Sequence, residues 1–383
     1  ALAGLEHDDR IREQFVYWGA HTGRWTGRGL QLHNMPALSS RSLDVRNIEL
    51  TYDAVRAAAE KATANARAKN EPKVLIADVL NALLRRLLEA DNFLVADYGA
   101  VEARCVAWLA DCKRMLELFA QPGSPVYLDM GKQLFGRVLS KKNEPSEYNL
   151  AKILVLGCGY GMSGAKFEAG CRMRGTSLKD LERRGMSGRD AVALYRKTYP
   201  EIPALWKELG TAALKCADGK GDQRVGRLLL TTQGNDMHMV LPSGRHLVYR
   251  QARVGEAVPS YCKLYGLPEV PVPTVMFTSH RGWRNFLYGS KMVENASQAI
   301  CRDLLADAMV RCEKDGLKPT FHVHDELGNQ APDDALEHML RVMTLPPGWA
   351  DDFPVLAEGY SGPIWSKATS GYREIHMLGG QIV

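Results

Sequence analysis

The stretch that most constrains this chain is FLVADYGAVEARCVAW, Phe93–Trp108. Its apolar run Phe93-Leu94-Val95-Ala96 has the make-up of a buried strand. Beyond it the period changes, and Val101, Cys105, Trp108 and Leu109 recur at spacings that share one helix face. Asp97 stands where one period gives way to the other. A carboxylate held between two regular elements is well fixed, which suits a metal ligand. The same position suits the cap of the helix that follows. On this stretch alone both readings stay open.

At 383 residues the chain can bury more than one core, enough for two or three subdomains. With 45% hydrophobic and 24% charged residues it falls outside the collagen-like, disordered and coiled-coil classes. A net charge of +5 permits a polyanionic partner without requiring one. The eight cysteines form no C-x-x-C pair, which argues against a zinc ribbon or redox motif and for a reducing, intracellular setting. No run reaches transmembrane length and no signal peptide opens the chain, so no membrane partner is expected. The first residue is Ala, not Met, which suggests a chain processed or cut from something longer.

Four further segments carry candidate chemistry. Thr320–Gln330, TFHVHDELGNQ, reads as strand, tight turn and strand, with Asp325 and Glu326 near the tip. In Glu147–Gly164, Tyr148, Lys152, Leu156 and Tyr160 recur every four residues and would share a helix face. That face is either a basic and aromatic stripe for phosphates and a base, or a core face whose lysine reaches out to solvent. His21–Pro36 is a glycine-rich loop holding Arg24 and Arg28, which either meet solvent or contact a duplex. Ser279–Lys291, SHRGWRNFLYGSK, is basic and aromatic, and is either a solvated loop or a phosphate contact. Elsewhere the pattern predicts helices over 50–69, Val74–Glu89, Ser187–Leu214 (broken at Tyr199-Pro200) and Lys291–Cys312. It predicts short strands at Arg227–Thr232, Met237–Leu241 and His246–Tyr249, and an irregular connection over Val258–Pro273.

DYGAVEAR, the K-x7-YG pattern of Lys152, Tyr160 and Gly161, and VHDE at Val323–Glu326 resemble, in this order, the three motifs of family A DNA polymerases. That is the group of bacterial DNA polymerase I and many phage replicases. The TGR…LQLHN segment from Thr22 to Asn34 resembles the family's TGR…LQNIP stretch, and the likeness extends from Phe15 to Lys367. The resemblance implies an α+β right-hand polymerase with an antiparallel palm sheet and an inserted helical fingers subdomain. Palm would occupy 1–118, with a residual thumb connection, fingers 119–285, and the second part of the palm 286–383. It implies DNA-templated addition of dNTPs to a primer 3′-OH by two-metal nucleotidyl transfer.

In that pattern Asp97, Asp325 and the carbonyl of Tyr98 hold two Mg²⁺ ions, with Mn²⁺ as a substitute, and Glu326 assists. Glu102 is the steric gate against ribose, and Arg104 is a structural partner. Lys152 contacts the triphosphate and protonates the leaving pyrophosphate. Tyr160 and Gly161 close on the nascent pair, while Tyr127 and Lys132 face the triphosphate. Arg24, Asn34 beside His33, Gln298 and His324 lie along the primer–template, His324 also orienting its turn. Three departures stand out: Gly99-Ala100 for Ser-Gln, Tyr148 for an arginine, and Leu156 for an aromatic. One triphosphate contact is then expected from Lys132, Lys141 or Lys142. The competing classes are a two-metal nuclease, an RNA polymerase or reverse transcriptase on the same palm, and a catalytically weak nucleic-acid-binding remnant. Thumb and exonuclease have no room here, so a processivity partner or a thumb- or exonuclease-bearing partner is expected. The expected setting is the cytoplasm of a bacterium or phage-infected cell.

Overall fold

The structure is a computed structural model and describes residues 11–29, 31–35, 39–40, 43–44, 48, 51–68, 75–84, 88–121, 125–259, 262, 268–279, 282–365 and 373–383. Expectations that fall on residues 1–10, on Pro36, on 69–74 or on Lys367 lie outside these. Two compact units emerge: Ala1–Gly99 with Leu304–Leu345 and Val355–Val383, and Ala100–Asp303 with Pro346–Pro354.

The first unit opens with two ribbons, Phe15–Val16 (β1) on Thr26–Gly27 (β2) and Ser39–Ser40 (β3) on Leu43–Asp44 (β4). Helices Tyr52–Ala68 (α1) and Ile76–Leu83 (α2) follow, packing Val55, Ala59 and Ala62 against Val79 and Leu83. Strand Glu89–Tyr98 (β5) ends this part. The helical portion of the second unit comprises Val101–Leu109 (α3), Lys113–Phe119 (α4), Pro125–Phe135 (α5), Pro145–Cys158 (α6), Gly164–Met173 (α7), Lys179–Glu182 (α8), Gly188–Thr198 (α9) and Glu201–Ala217 (α10). Strands Gln223–Val225 (β6), Leu228–Gln233 (β7), Asp236–Val240 (β8), His246–Ala257 (β9), Val272–Thr278 (β10) and Arg284–Leu287 (β11) come next. Helix Gly289–Lys314 (α11) gives its first part to the second unit and its last turns to the first. The first unit closes with Pro319–Val323 (β12), Glu326–Gln330 (β13), Ala335–Thr344 (α12), Leu356–Ile364 (β14), Arg373–Leu378 (β15) and Gln381–Ile382 (β16).

Among the described residues the first unit's main sheet is antiparallel in the order β12-β13-β5-β14-β15-β16. Strand β5 lies inside it, and Leu94, Val95 and Ala96 are fully buried. Burial on both faces explains why its sequence is a continuous apolar run rather than an alternation. On one face the Tyr98 hydroxyl donates to the Met343 carbonyl of α12 at 3.0 Å. On the other, Phe93, Val95, Tyr360, Val323 and Trp365 close a core with Leu32 and Met35. Phe321 lies opposite Gly328 in the β12–β13 pair, and its ring covers the glycine: a Cβ on Gly328 would sit 2.1 Å from Phe321 Cζ. The same ring packs on Trp365, centroids 5.0 Å apart.

In the second unit α9 starts at a reciprocal cap, Ser187 on the amide of Asp190 and Asp190 on the amide of Ser187. Pro200 separates α9 from α10, because its ring keeps the preceding Tyr199 out of the helical region, at φ −127° and ψ 66°. The unit is not purely helical. Among the described residues it carries an antiparallel sheet in the order β11-β10-β9-β8-β7-β6. Here the sequence reading is corrected: β9 runs on to Ala257, and β10 begins at Val272 inside the proline-rich connection. One proline near a strand's start removes a single ladder donor, while the run Thr274–Phe277 keeps its strand character. A second correction concerns β5, which begins at Glu89, with the preceding helix ending at Leu83. The eight cysteines are buried and none forms a disulfide. No helix among the described residues is long and apolar enough to cross a membrane.

Candidate active site

Helix α3 starts at Val101 with Ala100 as its N-cap, left-handed at φ 54° and offering no side-chain cap bond. Asp97 belongs to β5 instead, so the capping reading of this carboxylate falls. Strand β13 pairs Glu326 with Asp97, and the Tyr98 amide donates to the Asp325 carbonyl at 3.2 Å. Asp97 and Asp325 therefore stand on neighbouring backbone segments of one sheet, far apart in sequence. His324 enters the tight turn at φ 56°, which exposes it and swings the chain into Asp325.

Strand β14 adds a carboxylate that sequence reasoning missed. Glu358 pairs with Asp97 from the side opposite Glu326. Directly paired residues on antiparallel strands share a face, so Glu326, Asp97 and Glu358 form a row. The only signal in the sequence was a charge in an otherwise apolar strand, LAEGYSGPI. Glu326 Oε1 accepts from the indole Nε1 of Trp365. His376 lies beyond Glu358, its Nδ1 3.6 Å from Glu358 Oε1 and its Nε2 3.6 Å from Glu374 Oε1. Adjacent like charges on a sheet repel, and a cation beside them relieves the repulsion. Carboxylate oxygens are the hard donors Mg²⁺ prefers. Among the described residues no three His, Cys, Asp or Glu side chains are placed so that together they could hold a metal ion. A site with few protein ligands suits an ion that keeps water and takes substrate oxygens.

The N-terminal segment packs on the same hairpin. His322 is buried, stacks on Phe15 at 4.3 Å and meets Trp25 in a tilted contact at 4.6 Å. His324 Nε2 is 3.2 Å from the His33 carbonyl, and the two imidazoles meet edge-on at 5.2 Å. Burial, and then the neighbouring His324, hold His33 below the usual histidine range. Asn34 is exposed, with its amide donating to Gln31 Oε1 at 3.2 Å. Arg24 is half-buried, its carbonyl closing a turn with the Ala20 amide.

In the second unit Tyr160 Oη donates to Glu102 Oε2 at 2.9 Å. Burial and the Glu102 carboxylate raise the phenol well above the usual tyrosine range, so it stays a donor. Helix α6 ends at Cys158, and Tyr160 follows in a turn whose amide bonds the Gly157 carbonyl at 3.2 Å. The four-residue stripe is thus broken. Tyr148 is buried against Tyr127, rings 5.9 Å apart, while Lys152 and Leu156 are exposed. Each four-residue step overshoots a full turn by about 40°, so over three steps the stripe drifts off its face. Tyr127 is buried too, and Lys152 Nζ lies 5.8 Å above its ring. Lys141 Nζ is 6.0 Å from the Tyr148 ring, and Lys132 is exposed on α5. Gln298 is half-buried on α11, and Gly161 follows Tyr160 at φ 75°. Arg104 is buried: its Nη1 donates to the carbonyls of Phe119 at 2.7 Å and Pro354 at 3.1 Å, and its guanidinium lies 4.6 Å over the Phe119 ring.

No protein-family model matches the chain. It is 28% identical over 377 residues to a DNA polymerase of Bacillus phage SP02, a match covering 94% of this chain and 53% of the phage protein. It is 26% identical over 161 residues to DNA polymerase I of Helicobacter pylori, covering 42% of this chain and 14% of that protein. The chain spans about half the length of the phage relative. In fold it resembles the POL domain of Pol1 from M. smegmatis, solved with DNA primer-template and dNTP, at TM-score 0.51 and 14% identity over 95% of this chain and 49% of that one. The chain is thus similar, in sequence and in fold, to the polymerase region of family A DNA polymerases.

Proposed function

We propose that the chain is the polymerase-bearing part of a DNA-templated DNA polymerase that adds dNTPs to a primer 3′-OH. The observation that carries the reading is the pairing of Asp97 with the Asp325–Glu326 turn, in a chain related to a phage DNA polymerase along most of its length. Palm is assigned to 1–118 and 286–383 and fingers to 119–285. Primer–template DNA and dNTPs are the substrates, and the setting is a bacterial or phage-infected cytoplasm. Thumb and exonuclease functions belong to a partner or to a further part of a longer protein.

Asp97 and Asp325, with the Tyr98 carbonyl, would hold a pair of divalent cations, Mg²⁺ or Mn²⁺. When bound, these supply acidification of the 3′-OH and charge for the departing pyrophosphate. Glu326, aimed by the Trp365 indole, adds negative charge beside them. Lys152 is held on the Tyr127 ring with its ammonium outward, and its role is to neutralise and protonate the leaving pyrophosphate. Lys132 and Lys141 are the candidates for the contact that an arginine at position 148 would make. Glu102, fixed by Tyr160, blocks a ribose 2′-OH. Arg24, Asn34, Gln298 and His324 read the primer–template.

Primer extension with one templated dNTP and Mg²⁺ tests the reading. One-nucleotide extension supports it, and degradation of the primer without extension assigns the site to a nuclease.

A further inference from the structure

The basic and aromatic stretch at Ser279–Lys291 takes no part in the reaction described above. Of its described residues, Arg284–Leu287 form β11 and Gly289–Lys291 open α11 in the second unit. Met276 on β10 pairs with Arg253 on β9 and with Phe286 on β11, and Thr278 pairs with Arg250 and Arg284. Paired residues share a face. Arg250, Arg253, Arg284 and Phe286 therefore lie on one side of these three strands. Two arginines three apart would face opposite ways on a regular strand. A bulge opposite Met276–Thr278, with Gln251 at φ 50°, brings both to the same side.

On the other side of the strands Val275 and Leu287 are almost fully covered, and Tyr249 packs edge-on against Phe277 at 5.2 Å. The arginine side is open. All three arginines are exposed, and Phe286 is 48% exposed. Among the described residues, Arg250, Arg253 and Arg284 make no ion pair. Strands β9 and β11 are two spacings apart and the two rows lie two residues apart along β10, so Arg250, Arg284 and Arg253 stand at three corners of a patch of roughly 10 by 7 Å at the backbone, with Phe286 at the fourth.

Unbalanced guanidinium groups seek a polyanion, and bare rings seek flat apolar surface. A duplex offers phosphates but hides its base planes in the stack. A single strand offers both. We infer that this face binds single-stranded DNA: a base stacks on Phe286, and phosphates meet Arg250, Arg253 and Arg284. Given the polymerase reading, on which this part rests, the strand is the unpaired template.

The test is fluorescence anisotropy with labelled oligothymidylate, a primer–template with a long 5′ overhang, and a blunt duplex, at several salt concentrations. One variant combines Arg250→Glu, Arg253→Glu and Arg284→Glu; a second is Phe286→Ala. Circular dichroism checks that both are folded. The charge variant is expected to lose about 100-fold in single-strand affinity at low salt. Its slope of log affinity against log salt falls by about 2, at roughly 0.7 per lost phosphate contact. Phe286→Ala is expected to lose about tenfold with its salt slope unchanged. Wild-type affinity in either folded variant overturns the assignment, and so does an equal loss for blunt duplex and single strand. Primer extension by the wild type is scored separately: its failure defeats the polymerase reading and leaves the binding result standing.

Discussion

Removing one hydroxyl from Tyr160 probes the proposed sugar gate more finely than removing the gate. Tyr160 donates to Glu102 at 2.9 Å, and burial beside that carboxylate keeps the phenol protonated. A hydrogen bond to a charged acceptor contributes about 1.5–3 kcal/mol. In Tyr160→Phe the ring stays but this bond to Glu102 is lost, so the carboxylate is held less firmly against a 2′-hydroxyl. If the whole contribution serves to position Glu102, discrimination against ribonucleotides falls by about 10- to 150-fold, at 1.36 kcal/mol per tenfold change. Glu102→Ala sets the limit of that loss. The double variant Glu102→Ala/Tyr160→Phe should discriminate no worse than Glu102→Ala, because the second change removes a support with nothing left to hold. Single-turnover extension with one templated dNTP and its matching rNTP gives the ratio directly. Unchanged discrimination in Tyr160→Phe, or losses that simply add in the double variant, would refute the reasoning.

Asp97→Asn or Asp325→Asn should each lower extension by about 10³-fold or more, several kcal/mol of charge stabilisation, with DNA affinity by anisotropy nearly unchanged; extension retained in either variant contradicts the site. Arg104→Met leaves the Phe119 and Pro354 carbonyls without their buried donor and should cost about 2–4 kcal/mol in urea unfolding, whereas a loss below about 0.5 kcal/mol contradicts its structural role. Burial, and then His246 with its Nδ1 3.2 Å away, hold His238 below the ordinary histidine range, against an opposing pull from Asp236. The unfolded chain then binds that proton more readily, so stability is complete above about pH 6.5 and is lost as pH falls through the folded value. His238→Gln should flatten this part of the urea-midpoint profile between about pH 7.5 and 5.5, and an unchanged profile rules the pair out as its source.

What could be read from the chain was what its neighbours along the chain decide. The apolar run before Asp97 implied a covered strand, and TFHVHDELGNQ implied a hairpin with acids at its tip; both elements are there. The cap at Ser187 and the break at Pro200 are likewise local. Glu358 was hidden because its place beside Asp97 depends on the register of β14 against β5, which no short window encodes. The face of Tyr148 stayed open for a different reason. Periodicity says which residues share a helix face but not which face is covered, and Tyr127 on the neighbouring helix closes over that tyrosine. The strand at Val272 was masked by prolines around an apolar core too short to stand out.

The bare backbone at position 328 has a reach beyond its own strand. Phe321 can lie flat there only because nothing projects from it; that ring braces the Trp365 indole, and the indole in turn aims the Glu326 carboxylate. Even the smallest side chain at 328 would lift the first ring and pass the disturbance along the stack to an acid it never touches. Damage at such a place would look like a chemical defect while leaving every acidic group intact.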